Sequence, residues 1–202
     1  MLIDHKLIHN TIRKVFHLSN RTLRGSPRCA SMRYPREFLG VLFKELGYKC
    51  GAEIGVRRGQ FSEVLLKANP DLIFHCVDPW APYPGRRYTK EIQDGIYKQA
   101  RKRLEGYNVN FIREKSLDAV KKFTPNSLDF VFIDGDHRFA SVVQDICQWE
   151  KVVRPGGIIS VHDYLMGELG VFMAVEGFVR SYNIQPYYCT KEPMPTAFWV
   201  KL

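Results

Sequence analysis

The stretch "CGAEIGVRRGQFSEVLLKAN", residues 50–69, decides the fold. A short apolar run closes on Glu53 and Ile54, a turn carrying Gly55 and Gly59 follows, and the remainder reads as an amphipathic helix. The unit is strand, glycine turn, helix. It repeats downstream: "DLIFHCVD" precedes a helix over 88–104, in which Ile92, Ile96, Ala100 and Leu104 step by four. "VNFIREKS" precedes "LDAVKKF"; "LDFVFID" precedes "FASVVQDICQWEKVV", where Phe139, Val142 or Val143, Ile146 and Val153 share a face; "GIISVHD" precedes "GELGVFMAVEGFVRSY". Apolar runs alternating with amphipathic helices predict an α/β fold, a doubly wound parallel sheet with helices on both faces. "IQPYYCT" and "TAFWVKL", separated by "KEPMP", predict a closing hairpin.

Upstream, residues 2–17 carry Ile3, Leu7 or Ile8, Ile12 and Val15 or Phe16 at helical spacing, "SNRTLRGSPRCAS" reads as a loop, and "REFLGVLFKELGYKC" as a further helix. The formal net charge of +9 is concentrated at this end, where Lys6, Arg13, Lys14, Arg21, Arg24, Arg28 and Arg33 face Asp4. The expected organisation is a basic helical arm over 1–34 and one domain over 35–202. Such an arm is either a solvated face or a contact for an anionic partner.

At 202 residues and 45% hydrophobic content the chain can bury a sizeable core. Its apolar runs fall short of the ~20 residues that span a bilayer, and its start lacks the apolar core of a secretory signal. The five cysteines are scattered without a C-x-x-C pair, so reduced thiols and a cytoplasmic setting are expected.

In an open α/β sheet ligands bind where strands end at their carboxyl edge. Here those exits are polar: Glu53, Asp78, Ser116, the Asp134, Gly135, Asp136, His137 run, and His162 with Asp163. Gly55 and Gly59 suit a turn needing positive φ or a close ligand. Their spacing, E-x-G-x-x-x-G, differs from the G-x-G-x-x-G of a dinucleotide site and disfavours a bound pyrophosphate. Asp78 ends the next strand at the offset where an acid accepts from ribose hydroxyls.

The glycine turn, Asp78, "SLDFVFIDGDH" and "VRPGGIISVHDY", in that order, resemble the class I S-adenosylmethionine-dependent methyltransferases. The likeness covers residues 36–202 and is nearest to the small-molecule O-methyltransferase branch with a D-G-D-H signature, which acts on sugars of natural products. It implies a Rossmann-like sheet of seven strands in the order 3-2-1-4-5-7-6, the last antiparallel. It implies that Gly55 and Gly59 admit the methionine part of S-adenosyl-L-methionine, that Glu53 holds its amino group and that Ser62 helps at its carboxylate. Asp78 would bind the ribose, Ser116 and Leu117 would lie by the adenine, and Asp134 would border the cofactor. Metal-dependent relatives imply a divalent ion, Mg²⁺ or Mn²⁺, on Asp134, His162 and Asp163. His162 departs from the usual carboxylate and shifts preference toward Mn²⁺.

Methyl transfer to a hydroxyl needs alignment and removal of a proton. Candidate bases are His137, which titrates near neutrality, and Asp136, which matches the sugar-methylating relatives. Either could instead serve the start of the following helix. "PWAPYPGRRYTKE", residues 79–91, reads as a substrate lid: Trp80, Tyr83 and Tyr88 could stack on a ring, and Arg86 with Arg87 could bind an acid. The expected partner is a small-molecule acceptor, and family N-terminal helices imply a homo-oligomer or a covered site. The rival readings are an RNA methyltransferase using the basic arm and a non-catalytic binding protein of the same fold.

Overall fold

A computed structural model describes residues 5–18, 29–82 and 88–202. Its strands are β1 Cys29–Ser31, β2 Cys50–Ile54, β3 Ile73–Val77, β4 Val109–Ile112, β5 Leu128–Ile133, β6 Val153–Val161, β7 Tyr187–Cys189 and β8 Ala197–Val200. The helices are α1 His5–Val15, α2 Phe38–Glu45, α3 Gln60–Ala68, α4 Lys90–Arg103, α5 Ser116–Ala119, α6 Phe139–Val152 and α7 Leu169–Ser181. They form one sheet in the order β1-β7-β8-β6-β5-β2-β3-β4. Counted from β2 as the first strand, β2 to β8 run 3-2-1-4-5-7-6, as the resemblance implied. β8 is antiparallel to both β6 and β7, and the other pairs are parallel.

β5 shows why the strands read as continuous apolar runs: both faces of this central strand are covered. Phe130 and Phe132 join the core beneath α1 to α4, while Val131 and Ile133 join the core beneath α6 and α7. Phe130 stacks on Phe43 of α2 at 3.9 Å between ring centroids. The exits of β2, β3 and β5 are level with one another: Gly55 N–H donates to Val77 O at 2.8 Å, and Asp134 N–H to Ile54 O at 2.7 Å.

The N-terminal segment is packed into this body. Ile8, Ile12 and Phe16 share a core with Leu39, Leu42 and Phe43, and His9 Nδ1 lies 2.7 Å from the Tyr188 hydroxyl. The reading of residues 19–31 as loop is corrected at its end, because Cys29–Ser31 pairs in parallel with Tyr187–Cys189. Three residues carry too little periodicity to signal a strand; the open edge of β7 makes this one. Arg21, Arg24 and Arg28 of the basic segment lie outside the described residues. Among the described residues Cys50, Cys76 and Cys147 are free thiols, and no helix is long and apolar enough to cross a membrane.

Candidate functional site

The turn after β2 is shaped by the chain's own close packing. Gly55 has φ 92°, and a Cβ there would meet Asp134 O at 2.0 Å, so only glycine lets β2 leave the sheet against β5. Gly59, φ 70°, is the left-handed residue that starts α3. Gly55 borders the cleft that opens above the strand exits; Gly59 is not among its lining residues. The cleft has a volume of about 1480 Å³, room for a nucleoside-sized ligand together with a second molecule.

One half of the cleft is built on β2, β3 and β4. Glu53 is buried, and burial pushes its carboxyl up to about 8 against the hydrogen bond from Ser62. Ser62 was expected to face the cofactor carboxylate. It is fully buried beneath Glu53, donates its hydroxyl to it, and is absent from the cleft lining. The first helical turn directs Ser62 into the core, where it meets the cleft only through Glu53. Asp78 accepts from Arg57 N–H at 2.8 Å and Trp80 N–H at 2.7 Å. Burial raises its pKa in spite of these bonds, and each oxygen keeps a lone pair for a further donor.

Trp80 is also corrected. It is fully buried against Tyr97, at 4.7 Å between centroids, and donates Nε1–H to Arg57 O at 2.8 Å. An indole can satisfy its one donor and fill the core at once, so Trp80 fixes the turn that presents Arg57 N–H to Asp78. Of the remaining lid candidates Tyr88 lines the cleft; Tyr83, Arg86 and Arg87 lie outside the described residues. Ser116 and Leu117 also line it. The Ser116 hydroxyl is committed elsewhere, donating to Asp145 and accepting from Trp149 Nε1–H at 2.8 Å.

The other half gathers charge around the exits of β5 and β6. His137 Nε2 lies 3.0 Å from Asp163 Oδ2, and its Nδ1 lies 3.3 Å from Glu168 Oε2. The bond with Asp163 raises the His137 pKa against burial. His162 Nδ1 lies 2.9 Å from Asp163 Oδ1 and 3.5 Å from Asp134 Oδ1. Burial disfavours its charge, but the two acids outweigh burial and push His162 up to about 9. Burial likewise opposes ionisation of Asp163, yet the two imidazoles hold it well below the usual carboxylate range. Asp136 is occupied differently: it accepts from Arg138 Nε at 2.7 Å and from the Ser141 hydroxyl at 2.8 Å. Burial opposes its charge, and these donors lower its pKa nonetheless.

Donor atoms of Asp134, His162 and Asp163 all lie within 4.8 Å of one another. The buried His162 Nδ1 makes no well-directed hydrogen bond despite its close acids, which suits a lone pair wanted by a cation. The residues therefore fit a divalent ion, on condition that binding displaces the His162 proton.

Asp145, Glu168 and Arg36 are charged lining residues that the sequence reading did not single out. Asp145 is buried on the apolar stripe of α6, between Val142 and Trp149, and burial pushes it up to about 6. An acid on an apolar stripe was its available signal. Glu168 precedes α7, and Arg36 precedes α2; neither carries a pattern that marks it.

A polar cleft at the carboxyl edge of a doubly wound sheet defines a ligand-binding α/β protein of Rossmann-like class. Residues 52–164, more than half of the chain, match the family described as "Methyltransferase domain", and the chain belongs to that family. The structure is similar to the O-methyltransferase TomG of Streptomyces achromogenes, involved in tomaymycin synthesis and solved with SAM. The TM-score is 0.62 at 16% identity, over 100% of this chain and 92% of that one. It is also similar to an O-methyltransferase of Bacillus cereus solved with SAH, with TM-score 0.61 at 15% identity over 100% and 93% of the two chains. At such identities the likeness is one of fold. A 65-residue stretch is 37% identical to "Uncharacterized protein R132" of Acanthamoeba polyphaga mimivirus, covering 30% of this chain and 29% of that protein. The match thus spans less than a third of that relative.

Proposed function

We propose that this methyltransferase uses S-adenosyl-L-methionine to methylate a hydroxyl of a small acceptor, a sugar or natural-product-like molecule. The observation that carries the reading is the meeting, in one cleft, of Glu53 and Asp78 with Asp134 and His137. Glu53 receives the donor's ammonium, Asp78 the ribose hydroxyls, and the chain at Ser116 and Leu117 borders the adenine. Bound there, the donor supplies an electrophilic methyl group on a sulfonium. The acceptor oxygen gains the methyl carbon as the sulfur–carbon bond breaks, and alignment in the cleft supplies much of the rate.

His137 takes the hydroxyl proton, and Asp163 stabilises the imidazolium that results. Arg138 and Ser141 occupy both Asp136 oxygens; both His137 nitrogens also face acids, and the longer contact, Nδ1 to Glu168 at 3.3 Å, is the one that an acceptor hydroxyl would displace. Asp134, His162 and Asp163 would hold a divalent ion, which would supply Lewis acidity to the acceptor hydroxyl.

His137→Ala tests the reading. It is expected to lower turnover by about 10²- to 10⁴-fold while calorimetric SAH binding persists; full activity would contradict it. Chelation followed by Mn²⁺ add-back tests the ion: turnover is expected to fall and recover, and indifference to both removes the metal from the account.

A further inference from the structure

We propose that Arg36 binds the α-carboxylate of the methionine part of the methyl donor, so that Glu53 and Arg36 together hold a zwitterion. The proposal rests on the reading of the cleft as a site for S-adenosylmethionine. That donor carries an ammonium and a carboxylate a few atoms apart, and the exits around Glu53 present acids: Glu53, Asp78 and Asp134. An ammonium is welcome among them; a carboxylate needs a cation. Ser62, expected in that role, is buried and committed to Glu53.

Arg36 lines the cleft, and its positive charge acts on Glu53 against the neighbouring acids Asp134 and Asp78. Its Nη1 is buried without a hydrogen bond, and the nearest acidic oxygen, Asp134 Oδ2, lies 3.7 Å away. A buried guanidinium N–H without an acceptor is costly, so the arrangement favours a ligand that brings one. Two other cations at the rim have partners: Arg58 Nε donates to Gln99 Oε1 at 3.1 Å, and Arg138 pairs with Asp136.

Arg36 is also held still. Its backbone N–H donates to Glu192 Oε2 at 2.7 Å, which anchors the segment before α2 to the turn between β7 and β8. The guanidinium lies over the Phe61 ring at 4.7 Å and near Phe132 at 6.0 Å. Phe61 is the second residue of α3, directly after the glycine turn, so the stacked fork is fixed beside the wall that carries Glu53. A planar fork of this kind matches a carboxylate with two parallel bonds.

The test compares SAH with its decarboxylated analogue, S-adenosyl-3-thiopropylamine, by calorimetry on wild type, Arg36→Met and Arg36→Lys. Wild type is expected to bind SAH about 10- to 100-fold more tightly than the analogue. Arg36→Met should erase that preference by weakening SAH alone, and Arg36→Lys should restore part of it. Equal binding of both ligands by wild type overturns the proposal without requiring any variant to fold. Equal weakening of both ligands in Arg36→Met also overturns it, as does unchanged SAH affinity with a raised acceptor KM. Failure of wild type to bind either ligand would instead remove the cofactor reading on which the proposal stands, and the proposal with it.

Discussion

Strand β5 carries an aspartate at each end, and their surroundings are opposite. Asp129, near the entrance, accepts Lys49 N–H at 2.6 Å, Cys50 N–H at 2.8 Å and Arg154 Nε at 2.7 Å. It ties β2 and β6 to β5 and has little capacity left. Asp134, at the exit, is ringed by Arg36 at 3.7 Å, His162 at 3.5 Å and His137 at 4.0 Å, and among the described residues no side chain donates to it within good geometry. One carboxylate is spent on the fold, while the other is kept among partners at distances that a ligand can close. On β5 the satisfied carboxylate stands at the entrance and the unsatisfied one at the exit.

The largest effect that would break this contrast is catalytic. Asp134→Asn is expected to reduce methyl transfer by about 100-fold or more, with a urea midpoint close to that of wild type. Asp129→Asn is expected to do the reverse. Loss of acceptors for two backbone N–H groups and an arginine should lower stability by about 2 to 3 kcal/mol, with turnover per folded molecule unchanged. Equal effects of the two substitutions on activity would dissolve the distinction.

A smaller effect sharpens it at Glu53, a second exit carboxylate. Its pKa of about 8 in the folded chain stands above its ordinary value of 4.5, so the folded state holds the extra proton between them. The relief from burying a charge is therefore complete below 4.5 and is lost as pH rises through about 8. Stability should fall across that window at a slope approaching about 1.4 kcal/mol per pH unit. Glu53→Gln should flatten the slope in thermal melts between pH 5 and pH 8.5. An unchanged slope would mean that Glu53 is not the titrating group.

The same contrast explains what the sequence disclosed. Strand and helix alternation is local, so β2 to β8 and their exits were readable from periodicity, and the order 3-2-1-4-5-7-6 came with the family resemblance. β1 was not readable, because three residues become a strand only when β7 offers an edge. Glu53, Asp78, Asp134, His137, His162 and Asp163 were legible because each ends or follows an apolar strand. Arg36, Asp145 and Glu168 enter the cleft from the segment before α2, from within α6 and from the start of α7, where only tertiary packing assigns them a place. Trp80 misled for the opposite reason: it follows a strand exit in sequence, yet packing turns it inward, where it fixes the turn at Asp78.

The central claim is that a methyl donor occupies the exit edge of this sheet. A crystal structure of the protein soaked with SAH and Mn²⁺ tests it most directly. The account predicts the amino acid end between Glu53 and Arg36, the ribose on Asp78, and the sulfur turned toward Asp134 and His137. SAH bound away from Glu53 and Asp78, or no binding at millimolar concentration, would contradict it.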